Sequence, residues 1–305
     1  MAGSSIFRVD IPSSAMQFMR LASPAPGLRQ YVRSYGQREV RPGGATLVDP
    51  VPARAFPMLC FVFGTPYQVL DSNQSLVETS TSVVVVGGQT RCHWQLRYQG
   101  SVNCFVVLFQ ATGLYRLFSA PLPELTDCGY EGRTVLGAVA VRLEQLLANT
   151  ASFDERVRIT DRFFLSYSLK ARAFDRISAA ANQILRASGG VRIDALCREA
   201  GLSVRQFERC FLQQVGMHPK LFARIIRFEA ALDRKARFSR KSWTEVAHEF
   251  GYYDHMHMVH DFEGFTGATP TKLLAELEAL FQERLVAIRT LMRPANALND
   301  MPLIL

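Results

Sequence analysis

Ala200-Gly-Leu-Ser-Val-Arg-Gln-Phe-Glu-Arg-Cys-Phe-Leu-Gln-Gln-Val-Gly-Met-His-Pro219 decides the reading of the C-terminal half, because the chain repeats its pattern. The second copy is Phe250-Gly-Tyr-Tyr-Asp-His-Met-His-Met-Val-His-Asp-Phe-Glu-Gly-Phe-Thr-Gly-Ala-Thr-Pro270. Ala200-Gly201 aligns with Phe250-Gly251 at an offset of 50 residues. After one extra turn residue, Ser203 aligns with Asp254, Phe207 with Met258, Phe211 with Phe262, Gly216 with Gly267 and Pro219 with Pro270. A repeat at fixed spacing is a stronger fold signal than any single local pattern.

Each matched position has a physical task. Gly201 and Gly251 permit the positive φ that follows a helix end. Ser203 and Asp254 offer side-chain oxygens to the open N–H groups of the next helix. Phe207 with Phe211, and Met258 with Phe262, are i,i+4 pairs that bury one face. Gly216 and Gly267 stop the second helix, and the prolines three residues on suit a new helix start. Residues 193–219 and 244–270 therefore each predict a helix, a turn, an N-cap and a second helix, which is a helix-turn-helix. Between the units, 221–237 holds no Gly or Pro and predicts one long helix of about 25 Å. With the breadth of the flanking motifs, such a rod sets two recognition helices about 34 Å apart, one turn of B-DNA.

The residues outside the buried faces are the candidate contacts. In the first motif these are Ser203, Arg205, Gln206, Glu208 and Arg209. Arginine forks onto guanine O6 and N7, glutamine does the same on adenine, and a glutamate accepts from cytosine N4 or orients an arginine. The second motif offers Asp254, His255, Met256, His257 and His260, and is poor in Lys and Arg. His257 and His260 sit at neighbouring helical positions, but no Cys or carboxylate set accompanies them, so no metal is expected. Phosphate anchoring is expected from Arg224, Arg227, Arg237, Arg240, Lys241 and Lys272, by their place on the connector and at helix starts.

The N-terminal half has a different period. Between Ala45 and Gln110 the runs 58–63, 81–86, 93–98 and 104–109 are rich in β-branched and aromatic residues and are separated by Gly or Asp-Ser-Asn turns. They predict an antiparallel sandwich or small barrel. Helical stripes follow at Leu114, Leu117 and Phe118, at Leu136, Val139, Leu143, Leu146 and Leu147, and from Val157 to Leu169. A boundary is expected near 166–174, a stretch too apolar for a flexible linker and read as a semi-rigid helical connection. This divides the chain into an effector or dimerisation domain (1–169), a DNA-binding domain (170–278) and a helical tail (279–305). Cys60, Phe61, Phe63, His93, Trp94 and Phe105 are the candidate effector-pocket residues.

Composition sets the bounds on function. The 305 residues are 48% hydrophobic and 20% charged, enough for two globular cores. No segment has the uninterrupted apolar length of a membrane span, and no basic stretch followed by an apolar run opens the chain. Six cysteines without metal-ligand spacing read as reduced thiols, so a cytoplasmic protein is expected. The net charge of +8 permits a polyanion partner, yet 175–278 holds 15 Lys and Arg against 13 Asp and Glu. Motif geometry, not bulk charge, carries the DNA-binding argument.

Ala200 to Phe211, Gly216-Met-His-Pro219, Gly251-Tyr-Tyr-Asp-His255 and Phe262 to Pro270 together resemble the AraC/XylS transcription regulators. The resemblance implies a multidomain α+β chain. Its N-terminal part would be a cupin-like antiparallel β barrel with packed helices, and its C-terminal part an all-α domain of two helix-turn-helix motifs joined by a long helix. It implies that Arg205, Glu208 and Arg209, and in the second motif His255, Met256 and His260, face bases. Histidine stands at 260 where the family usually has a basic residue, which weakens the second motif. The run Cys104 to Leu125 is similar to the N-terminal domain of some members. Implied partners are double-stranded DNA, RNA polymerase, a small-molecule effector and a second copy in a homodimer, with no cofactor and no enzyme activity. The alternative is a cupin-type metalloenzyme domain fused to the DNA-binding module, but such a barrel needs several His or carboxylate ligands, and His93 is the only histidine before His218. An N-terminal domain that binds nothing small and serves only dimerisation or protein contact is the third reading.

Overall fold

The computed structural model describes residues 16–150, 152–238 and 240–280. Most of the expected tail, from 281 onward, lies outside the described residues.

Among the described residues ten strands build two antiparallel sheets. β1 (Met16–Ala22), β2 (Val32–Arg41), β4 (Met58–Gly64), β7 (Val83–Val86), β9 (Val102–Phe109) and β10 (Gly129–Glu131) form one sheet in the order β1-β2-β9-β4-β7-β10. The other holds β3 (Leu47–Val51), β5 (Gln68–Leu70), β6 (Leu76–Thr79) and β8 (Trp94–Tyr98) in the order β3-β8-β5-β6. Strand alternation sorts the larger sheet's side chains onto two faces. Cys60, Val62, Val102 and Cys104 pack towards the smaller sheet with Tyr67 and Tyr98. Leu59, Phe61, Phe105, Val107 and Phe109 pack on the other face. That second face is covered by the helices α1 (Gly113–Phe118), α2 (Leu122–Leu125), α3 (Gly132–Leu136), α4 (Ala138–Ala148) and α5 (Phe153–Ser168). Each large side chain so buried contributes about 1.5–3 kcal/mol of transfer free energy. No hydrogen-bonded ladder joins the two sheets among the described residues, and the expected antiparallel β domain takes the form of two sheets with packed helices. Strands of three to five residues make up the smaller sheet.

The remaining described residues are helical: α6 (Arg176–Arg186), α7 (Ile193–Glu199), α8 (Val204–Val215), α9 (Pro219–Arg237), α10 (Trp243–Glu249), α11 (His255–Thr266) and α12 (Pro270–Leu280). The connection between halves departs from the helical expectation. Residues 171–175 have no regular secondary structure, and Arg116 pins them. Its Nε donates to Arg172 O at 3.2 Å, the Arg172 N–H donates back to Arg116 O at 2.9 Å, and its guanidinium lies 5.3 Å from the Phe174 ring centroid. These contacts hold the stretch in place without regular secondary structure. The two halves also share a core. Ala53, Ala55, Phe56, Leu108 and Ala111 of the sandwich belong to the same apolar cluster as Phe207, Phe222, Phe228 and Phe262.

Candidate nucleic-acid interface

Two helix-turn-helix units, α7–α8 and α10–α11, are joined by α9, with α8 and α11 as the recognition helices. Ser203 caps α8 in a capping box: Gln206 N–H donates to Ser203 Oγ at 3.3 Å, and Ser203 N–H donates to Gln206 Oε1 at 3.2 Å. Asp254 caps α11 by accepting from His257 N–H at 2.7 Å. Gly216 (φ 89°) and Gly267 (φ 74°) end the two helices in the left-handed region that L side chains avoid. Phe207, Phe211, Met258 and Phe262 are fully buried beneath. Phe211 stacks edge-on against Phe222, and Phe262 against Phe228, so each recognition helix is seated on the connector by an aromatic contact.

On the first recognition helix Ser203, Arg205, Gln206 and Arg209 are exposed and Glu208 is half-buried. Arg205 and Arg209 make no ion pair or hydrogen bond among the described residues, and their guanidiniums are available to an incoming acceptor. Ser203 and the Gln206 carbonyl are occupied in the cap, which leaves only the Gln206 amide nitrogen as a donor. On the second, Asp254, Met256, His257 and His260 are exposed and His255 is half-buried. His257 meets the Tyr252 ring edge-on at 5.6 Å. Among the described residues no group of three His, Cys, Asp or Glu stands close enough to hold a metal ion. Val204 and Tyr253 are also exposed, Tyr253 to 93%. Their signal was a large apolar side chain beside an N-cap, which burial periodicity alone reads as noise.

The expected phosphate anchors do not form one set. Arg224 turns inward, its Nε and Nη2 donating to Asp261 Oδ1 at 3.2 and 2.5 Å. Arg227 donates from Nη2 to Gly189 O at 3.2 Å and lies over the Tyr252 ring. Gly189 has to be glycine for this approach: a Cβ there would stand 2.1 Å from Ala223 O on the connector. Arg237 pairs with Asp233, and Lys241 with Glu249. Arg240 is exposed in the turn after α9, and Lys272 is half-buried on α12. Arg237 is satisfied by a residue four back on the same helix, whereas Arg224 and Arg227 find partners on other elements 37 and 38 residues away, which sequence direction did not reveal.

The six effector-pocket candidates are likewise dispersed. Phe61 and Phe105 face the helices, Cys60 faces the second sheet, and Phe63 packs under the Arg156 guanidinium at 4.0 Å. His93 and Trp94 are half-buried at the start of β8, where Trp94 Nε1 donates to Asp127 O at 2.8 Å. Burial and the neighbouring Arg91 lower the His93 pKa. The polar group inside the sandwich is a different one. Arg38 of β2 pairs with Asp49 and donates from Nη1 to Tyr98 Oη at 2.9 Å. A strand that carries Arg33, Arg38 and Arg41 gave no sign of which would point inward.

Residues 196–276 match a family described as a helix-turn-helix domain, and residues 20–131 match a domain of unknown function, DUF6597. No curated protein matches the sequence. Among solved structures, ToxT from Vibrio cholerae overlaps with a TM-score of 0.44 at 11% identity, over 87% of this chain and 99% of that one. An unsaturated-fatty-acid-bound form of ToxT gives 0.44 at 11% over 90% and 100%. The AraC-like transcriptional activator CuxR gives 0.28 at 14% over 65% and 76%. The repeated, capped motifs on one connector and the family match over them define a DNA-binding protein of the helix-turn-helix class. A helix-turn-helix domain in the C-terminal half is joined to a β-rich N-terminal domain.

Proposed function

We propose that the chain binds double-stranded DNA by laying α8 and α11 in successive major grooves, and that residues 16–169 regulate this binding rather than catalyse a reaction. The observation that carries the reading is the 19-residue α9, which bears a capped recognition helix at each end and leaves Arg205 and Arg209 exposed on one of them. At about 1.5 Å per residue it spans about 28 Å before the flanking helices are added, which suits one turn of B-DNA. Arg205 and Arg209 are the base readers, Glu208 orients them, and Met256, His257 and His260 make the weaker second footprint, with Val204 and Tyr253 supplying apolar contact to thymine methyls. Arg240, exposed after α9, and Lys272, near the start of α12, are the phosphate anchors of this reading. No helix among the described residues is long and apolar enough to cross a membrane, and a cytoplasmic, nucleoid-bound protein is the corresponding location. A small-molecule input through the sandwich, contact with RNA polymerase and self-association belong to the same reading. A metabolite that raises the melting temperature with log concentration would identify the first.

The test is selection of duplexes from a random pool by the full chain at fixed salt. An enriched sequence with two half-sites about one helical turn apart is expected. Arg205→Ala and Arg209→Ala should each relax preference at one position of one half-site, at a cost of about 1–3 kcal/mol. Enrichment of no sequence would end the reading.

A further inference from the structure

The two halves meet at a joint that DNA contact does not require. Residues 52–57, between β3 and β4, insert against both the connector and the second recognition helix. The Ala53 N–H donates to Phe265 O at 2.7 Å, near the end of α11. Two residues on, the Ala55 N–H donates to Glu229 Oε1 at 3.4 Å, in the middle of α9. Phe56 then meets Phe222 of α9 edge-on, with ring centroids 6.3 Å apart. The first recognition helix is fastened separately. Thr126 Oγ1, just after α2, donates to Gly216 O at 2.6 Å, and a Cβ on Gly216 would lie 2.8 Å from Leu122 O. Both recognition helices are thus tied at their C-terminal ends to the same sandwich.

Glu229 is the unusual member of this joint. A helix between two DNA-reading motifs gains nothing from a buried acid, yet its side chain is 5% exposed within the shared apolar core. The positive charges of Arg33 on β2 and Arg54 in the inserted segment act on it. Arg33 also lies 4.4 Å from the Phe56 ring centroid, so one arginine packs on the aromatic anchor while its charge acts on the acid. Burial outweighs both arginines and pushes the Glu229 carboxyl up to about 7. Buried ionic groups add little net stability compared with apolar packing, but they are costly to half-break, which gives an interface discrete seated and parted states.

We infer that residues 53–56 and Glu229 form a clasp by which the N-terminal domain sets the spacing and tilt of the two recognition helices, with Glu229 a positioning residue that touches no DNA. The inference rests on the DNA-binding reading and adds its regulation. Any ligand or partner that favours one position of the 52–57 segment biases the operator geometry by its unequal affinity for the seated and parted states.

The experiment compares the full chain with Glu229→Ala, Glu229→Gln and Phe56→Ala, using Arg205→Ala as a control on the DNA face. Hydrogen exchange reads the amides of 53–56 and 262–266, and selection from a random duplex pool reads half-site spacing. Glu229→Ala and Phe56→Ala should raise exchange at both segments at least about tenfold and broaden the selected spacing. Glu229→Gln, which keeps the acceptor for Ala55, should stay near the wild-type spacing. Arg205→Ala should lose base preference without altering exchange. A spacing distribution unchanged in variants whose exchange has risen would overturn the clasp, as would exchange unchanged in both. If Glu229→Ala fails to fold, Phe56→Leu carries the same arms. A wild-type chain that selects no sequence defeats the DNA-binding reading itself, an outcome distinct from variants that select as the wild type does.

Discussion

Single residues decide whether a cation reads DNA or holds the fold. Arg205 and Arg224 are chemically identical, but one is exposed on α8 and the other is clamped across to Asp261, which is 1% exposed. Removing Arg205 should therefore change sequence preference with little effect on melting. Removing Arg224 strands a buried carboxylate whose Oδ2 already has no hydrogen-bond partner among the described residues. Arg224→Ala is expected to cost about 1–3 kcal/mol of stability, readable by urea denaturation. The double variant Arg224→Ala, Asp261→Ala should recover part of that loss. A phosphate-contact role for Arg224 predicts instead a lower salt dependence of DNA binding at unchanged stability.

Elements are fixed by their ends. The repeat places α8 and α11 at an offset of 51 residues with equal lengths of 12, and each starts at a side-chain cap and stops at a left-handed glycine. Ser203→Ala and Asp254→Ala should each destabilise the domain by about 1 kcal/mol in thermal melts. Ser203→Ala should also release the Gln206 side chain from the capping box, so its effect on base preference should exceed that of an alanine at an exposed α8 position other than Arg205 or Arg209. Unchanged selection in Ser203→Ala would show that the cap serves stability alone. These ends were legible in the sequence because glycine, serine and aspartate announce them by backbone and hydrogen-bonding chemistry. The strands were less so. The runs at 58–63 and 104–109 stood out as apolar blocks, whereas β2, with Arg33, Arg38 and Arg41 in it, hides its alternation behind charge.

At the scale of the whole molecule the joint makes stability depend on pH. Glu229 has its carboxyl raised from 4.5 to about 7 by burial. Between those values the native chain holds a proton that the unfolded chain has released. The native state is therefore favoured below that window, and this contribution is lost as pH rises through about 7. The melting temperature should fall between about pH 5 and about pH 7.5 on this account, and Glu229→Gln should flatten that part of the profile. Arg33 and Arg54, lowered to about 10 by the same burial, remain cationic across the window and do not contribute to the slope.

The sequence by itself determined the local grammar of the protein: a duplicated motif, its caps and stops, a breaker-free connector and a β-rich partner domain. Periodicity and turn chemistry act over a few residues, so they can be read along the chain. Tertiary structure alone decided which arginines face outward, that Cys60 and Phe61 lie on opposite faces of β4, and that an acid in the middle of the connector is buried against the other domain. Those outcomes depend on neighbours such as Asp261, 37 residues from Arg224, and Ala55, 174 residues from Glu229. No local pattern encodes a contact whose partner comes from the other half of the chain.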